Sequence, residues 1–101
     1  MPPAQHILSG APKQTLSNLY SDSTGQFFSG IWECEVGKWH VSYTENEFCY
    51  LLKGKVTLTD GNGVQTTLTA GDAFVVPAGF KGTWETVETC RKYYAVFEQK
   101  A

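Results

Sequence analysis

From Phe27 to Phe97 the apolar and polar residues fall into short alternating runs, with no stretch at the spacing of an amphipathic helix. Trp32, Cys34 and Val36 alternate with Glu33 and Glu35, a period of two that puts the apolar set on one face of a strand. After a turn at Gly37–Lys38, residues 39–43 predict a second strand. Residues 47–52 predict a third, with Phe48, Tyr50 and Leu52 on one face and Cys49 and Leu51 on the other. A strand apolar on both faces is one covered on both sides. Residues 56–59 continue past Gly54, and Asp60-Gly61-Asn62-Gly63 is the strongest hairpin signal in the chain, because these residues tolerate positive φ. Residues 64–69 return, Ala70-Gly71-Asp72 turns, and residues 73–76 form a short strand ended by Pro77-Ala78-Gly79. Residues 82–87 and 93–97 complete the set. Residues 1–26 hold three of the four prolines and read as an arm with a short strand at 15–20. The expected organisation is therefore an N-terminal arm, 1–26, and one β domain, 27–101. The class is all-β, and pattern alone leaves open a sandwich, an oligonucleotide-binding barrel or a jelly roll.

Composition narrows the function classes more than the fold. A chain of 101 residues supports one core. Eight basic and ten acidic residues give a net charge of −2 without a basic patch, which argues against a nucleic-acid partner. No apolar run approaches the roughly 20 residues that span a bilayer. Residues 1–10 lack the basic start and apolar stretch of a signal peptide, so a cytoplasmic location is expected. Cys34, Cys49 and Cys90, odd in number and widely spaced, suit neither a disulfide framework nor a zinc motif and are expected to be reduced, buried thiols. Small size, the doubly apolar strand and the arm together predict a homodimer.

Two turn-centred patterns choose among the β folds. Glu47, six residues, then Gly54 (EFCYLLKG) resembles the second half of the first cupin motif. Gly71, five residues, Pro77, one residue, Gly79 (GDAFVVPAG) resembles the second. At a closer level WECEVGKW, ENEFCYLLKGKV, AGDAFVVPAGFKGTW and ETCRKYY are similar to the small single-domain cupins grouped with ureidoglycine aminohydrolase and with a cupin protein of ethanolamine utilisation. The resemblance covers about residues 28–97 and implies a double-stranded β-helix, the cupin jelly-roll barrel. It also implies a metal site of three histidines and one glutamate. Glu47 stands at the glutamate position. The first two histidine positions fall on Val41 and Tyr43, or on His40 and Ser42 with the gap one residue longer, and the last falls on Gly82. Valine and glycine donate nothing to a metal. No tightly held metal and no cofactor are therefore expected, with a metal-dependent ureidoglycine aminohydrolase-like enzyme as the alternative.

Alternation gathers the remaining candidate chemistry. If Glu47 points inward, it shares its face with Cys49, and alternation from Tyr43 adds Val41 and Trp39, with Trp84 and Trp32 completing an aromatic wall. Gly82 would leave room there. His40 falls on the opposite face from Tyr43. A carboxylate in apolar surroundings is costly and poised for general acid or base work, and Tyr43 supplies a hydrogen-bond donor. Cys49 ranks lower as a nucleophile, since no histidine is placed beside it. The charges of Arg91 and Lys92, in the RKYY segment, are candidates to anchor an anionic substrate at the barrel mouth, with solvent or a salt bridge to Glu85 or Glu88 as the alternative, and Tyr93 of the same segment is a candidate substrate-binding residue. The leading expectation is a pocket for a small polar molecule, with an enzyme acting through Glu47 and Tyr43 by proton transfer, isomerisation or hydrolysis of a small nitrogen-containing or carbonyl compound. The alternatives are a non-catalytic binding or sensing module, and a structural homodimer whose interior its own side chains fill.

Overall fold

The computed structural model describes residues 2–99. Eight strands carry the fold: β1 (Ile7–Gly10), β2 (Gln14–Ser21), β3 (Phe27–Cys34), β4 (Gly37–Ser42), β5 (Asn46–Asp60), β6 (Gln65–Thr69), β7 (Ala73–Val76) and β8 (Lys81–Phe97). Every pairing among them is antiparallel. No helix among the described residues is long and apolar enough to cross a membrane.

The two long strands make the barrel. Residues 46–51 of β5 pair with 92–97 of β8, and residues 55–60 pair with 82–88, with register shifts between. Each long strand therefore passes from one layer into the other. The first layer runs β7, the front half of β5, the rear half of β8, β3, β2. The second runs β6, the rear half of β5, the front half of β8, β4, β1. This is the jelly-roll arrangement of a double-stranded β-helix, with its corners made by bulged strands that switch layers. Gly54 makes the β5 corner. Its φ is +90°, and a Cβ there would collide with the Thr89 carbonyl oxygen of β8. Leu51, Val56, Leu58, Leu68, Val76 and Trp84 fill the space between the layers with Cys34 and Cys90. All three cysteines are buried free thiols.

Three local expectations, at Gly37–Lys38, at Val36 and in the division of β8, differ from the structure. The arm holds the short strand expected at 15–20, as β2 on β3, and adds β1 on β4, so it edges both layers. Nearly every β2 residue is exposed, which is why the sequence there shows so little apolar alternation. Gly37–Lys38 begins β4 instead of turning, held by the fully buried Pro12, whose ring leaves no space for a Cβ at Gly37. Val36 lies exposed before β4 and does not share the buried face of Trp32 and Cys34. Finally, 82–87 and 93–97 are one continuous strand, whereas 56–59 continue 47–52 past Gly54 as expected.

Candidate functional site

The inner face of the first layer borders a cavity of about 670 Å³, whose lining includes Trp32, Trp39, Trp84, Tyr43, Glu47 and Lys92. The exposed residues Pro3, His6 and His40 stand at its mouth. Side chains of the protein itself do not fill it. The three tryptophans touch one another, with Trp32 meeting Trp84 edge-on at 5.3 Å between ring centroids and Trp39 at 6.5 Å. Two links from β2 hold this wall. Gln14 Oε1 accepts from Trp32 Nε1 at 2.9 Å, and Asn18 Oδ1 accepts from the Tyr94 hydroxyl at 2.7 Å.

Glu47 points inward, as the alternation predicts, and is 7% exposed. Its partner was not foreseen. Lys92 Nζ donates to Glu47 Oε2 at 3.0 Å and to Cys49 Sγ at 3.4 Å. The same ammonium lies over the faces of Trp32 and Trp84, 4.5 and 4.6 Å from their centroids. A buried charge persists only when paired and hydrogen-bonded, and each member of this pair supplies what the other needs. Burial, the largest single effect, pulls the Lys92 pKa down, but the Glu47 charge and the hydrogen bonds to Glu47 and Cys49 together raise it, and the net direction is upward, so Lys92 is an ammonium at neutral pH. Burial likewise pushes the Tyr43 phenol upward, reinforced by the neighbouring Glu47 charge, and keeps it a neutral donor. Tyr43 is positioned by the turn after Pro77: its N–H donates to the Phe80 carbonyl at 2.9 Å and its carbonyl accepts from the Gly79 N–H at 2.7 Å.

The structure brings together Trp32, Trp39, Val41, Tyr43, Glu47 and Trp84 of the expected residues. Cys49 is fully buried beneath Lys92, and its thiol is pushed up to about 12, chiefly by burial, which removes it as a nucleophile at neutral pH. Arg91 and Tyr93 do not join the site. β8 turns both to the outer face, where Arg91 pairs with Glu33 at 3.3 Å and Tyr93 is half exposed. Their neighbours Lys92 and Tyr94 face the cavity instead. Gly82 also lies elsewhere. It sits against Thr59 of β5, where a Cβ would strike the Thr59 carbonyl oxygen, so it serves close strand approach and not cavity space. Gln14 and Leu16 of β2, neither of them among the expected site residues, line the cavity too.

Residues 21–94, most of the chain, match the family described as the EutQ-like cupin domain. This chain belongs to that family. The EutQ-like cupin fold is also seen in the solved structures it resembles. It superposes on the EutQ protein of Clostridium difficile with a TM-score of 0.77 at 14% identity, over 89% of this chain and 66% of that one. A protein of unknown function of the DUF861 family from Pseudomonas syringae pv. tomato gives a TM-score of 0.87 at 27% identity, over 94% of this chain and 41% of that one. A DUF861 family protein from Thermotoga maritima reaches 38% identity with a TM-score of 0.63, over 64% of this chain and 74% of that one. The chain thus spans two thirds or less of the length of the first two. No curated protein matches it.

The residues of this EutQ-like cupin do not fit the metal that the wider cupin resemblance implies. The one carboxylate at the expected position is already bound by an ammonium. Val41 offers no donor atom, His40 is exposed at the mouth, and the backbone crowding at Gly82 excludes any side chain there. Among the described residues no group of three or more His, Cys, Asp and Glu side chains could hold a metal ion.

Proposed function

We propose that this protein binds a small, uncharged carbonyl compound in the Trp-lined cavity and moves a proton on it, with Glu47 as the base. The observation that carries the reading is the buried Lys92–Glu47 pair, 3.0 Å apart, on the wall of an open aromatic cavity. A lysine ammonium has three N–H donors, and Glu47 and Cys49 use two, leaving one for a ligand oxygen. The pair is neutral overall, so an uncharged ligand enters without an uncompensated charge. Flat indole walls and a few polar groups suit a small planar molecule.

The chemistry follows from where charge goes. Glu47 takes a proton from the carbon beside the carbonyl. The C–H electrons move to the carbonyl oxygen, which becomes an enolate. Lys92, balancing the Glu47 carboxylate beforehand, then faces the new oxyanion, a preorganised donor where charge develops. Tyr43 donates a second hydrogen bond. Return of the proton to the same or the other face gives exchange or isomerisation. The upward direction of Lys92 argues against a free amine, and so against imine formation with the carbonyl.

All three tryptophans of the chain line the cavity, so intrinsic fluorescence reports occupancy. Titration with a panel of small ketones, amides and lactones is expected to give a saturable change, and NMR in D2O to give deuterium uptake at the carbon beside the carbonyl. Glu47→Gln should keep affinity within a few-fold and abolish exchange. Saturable binding without exchange in the wild type would leave a non-catalytic binding module. A flat fluorescence response across the panel would remove the proposal.

A further inference from the structure

The cavity wall holds a hydrogen-bond donor that the Lys92–Glu47 pair does not use. Gln14 and Trp32 lie on adjacent strands, where Gln14 stands opposite Cys34 and Leu16 opposite Trp32. That diagonal spacing lets long side chains meet across strands. Trp32 Nε1 donates to Gln14 Oε1 at 2.9 Å. An indole N–H can only donate, so the amide oxygen must face it, and the orientation of the Gln14 amide is fixed. Gln14 Nε2, with two N–H donors, is left over, and among the described residues no group accepts from it. The side chain is partly buried and lines the cavity. A few fixed polar groups on an apolar wall are what orient a small ligand.

The place of Gln14 relative to Lys92 narrows the ligand. Lys92 Nζ stands over the face of Trp32, 4.5 Å from the ring centroid, and Gln14 holds the edge of the same indole. Two donors on two sides of one indole suit two acceptors on one small molecule. We propose that the compound is a 1,3-dicarbonyl, with one oxygen at Lys92 and Tyr43 and the other at Gln14 Nε2; this rests on the binding and proton transfer argued above. The chemistry favours the same class. A carboxylate is a weak base for a carbon beside a single carbonyl. When Glu47 takes a proton from a carbon between two carbonyls, the C–H electron pair is shared by both oxygens. The proton later returns from the Glu47 carboxyl to that carbon. Lys92 meets one share of the developing charge and Gln14 the other, both donors being in place beforehand. A ligand with one carbonyl forgoes the Gln14 hydrogen bond.

Tryptophan fluorescence of the full chain, titrated with acetoacetamide and with butanamide, tests this. Butanamide has the same carbon chain and lacks the ketone oxygen. The wild type is expected to bind acetoacetamide about 5- to 10-fold more tightly, the worth of one neutral hydrogen bond. Gln14→Glu keeps an oxygen for the Trp32 N–H and exchanges the free donor for an acceptor. Gln14→Met removes both without adding charge. In each, the preference for acetoacetamide should disappear. Should one variant unfold, as circular dichroism would show, the other decides. A wild type without the preference, or a folded variant that keeps it, overturns the proposal and leaves a cavity for single carbonyls standing. Binding of neither compound overturns both.

Discussion

Arg91 and Lys92 are consecutive in the chain, and each holds a carboxylate, yet β8 sends them to opposite sides of the sheet. Arg91 meets Glu33 of β3 on the outer face at 3.3 Å, with both side chains 45% exposed. Lys92 meets Glu47 of β5 on the inner face at 3.0 Å, with both nearly sealed from water. Water screens the first pair and makes either member dispensable. The second pair has no solvent to fall back on, so each charge is tolerable only because the other is there. The two faces of these strands also reverse the usual arrangement. Charge lies inside with tryptophan, while Phe48, Tyr50 and Tyr93 lie outside. The two departures from the apolar-inside rule lie back to back on the same strands.

The sharpest way to break the comparison is to remove one member of the inner pair. Lys92→Met leaves Glu47 buried and unpaired, and a loss of about 3–5 kcal/mol in urea unfolding is expected. Glu47→Leu combined with Lys92→Met removes both charges and should recover most of that loss, because matched apolar replacement of a buried pair is often neutral. Equal losses in the single and double variants would show that the two side chains are not coupled, and the contrast with the outer pair would disappear.

How much of this wall the sequence displayed follows from strand phase. Alternation from Tyr43 reached Trp39 and Val41, because β4 keeps strict period two, and the two-residue step from Gly82 reached Trp84 on β8. Lys92 was expected with Arg91 at the barrel mouth or in solvent and not beside Glu47, because β8 looked like two strands with a break at 88–92. Carried through from Trp84 by even numbers, the phase reaches Thr86, Cys90, Lys92 and Tyr94, all of them buried, and is interrupted only by the exposed Glu88 at the corner. A lysine flanked by Arg91, Tyr93 and Tyr94 also reads as a surface residue, since burial of lysine is rare unless it is paired. The turn motifs at Gly54 and Gly79 disclosed the fold because they are local. The contribution of Gln14 and Leu16 to the cavity was illegible for the opposite reason: β2 is an edge strand, its residues are mostly exposed, and only tertiary pairing with β3 sets it beside the site.

Alkaline pH should act on the inner face alone and by a somewhat smaller amount. Cys49 is raised from 9.0 to about 12 and Cys34 from 9.0 to about 11, both chiefly by burial. Tyr43 and Lys92 are raised above 10.0 and 10.5. Raised groups hold their protons more tightly in the folded state. Their stabilisation is complete below the ordinary values and is lost as pH climbs through the folded ones. Stability is therefore expected to be flat up to about pH 9 as far as these groups are concerned, then to fall. Cys49 alone accounts for a loss on the order of 4 kcal/mol once pH reaches its folded value, three units above the ordinary one. Urea midpoints measured from neutral to strongly alkaline pH check this, and Cys49→Ala should make the decline shallower. A steep fall that begins well below pH 9 would place its origin outside these four groups.

The outer pair supplies the smallest effect and the control for the largest. Glu33→Ala leaves Arg91 in water with its hydration restored, so the expected change is below about 1 kcal/mol and shrinks as salt is added. Lys92→Met should respond to salt much less than Glu33→Ala, because the inner pair lies with only 4 and 9% of its side-chain surface exposed in a low-dielectric wall. Measured side by side at low and high ionic strength, the two variants turn one residue of sequence separation into a test of solvent access. A Glu33→Ala loss as large as that of Lys92→Met, and equally deaf to salt, would mean that the Arg91–Glu33 pair is shielded from water in solution and that the two faces do not differ in solvent access.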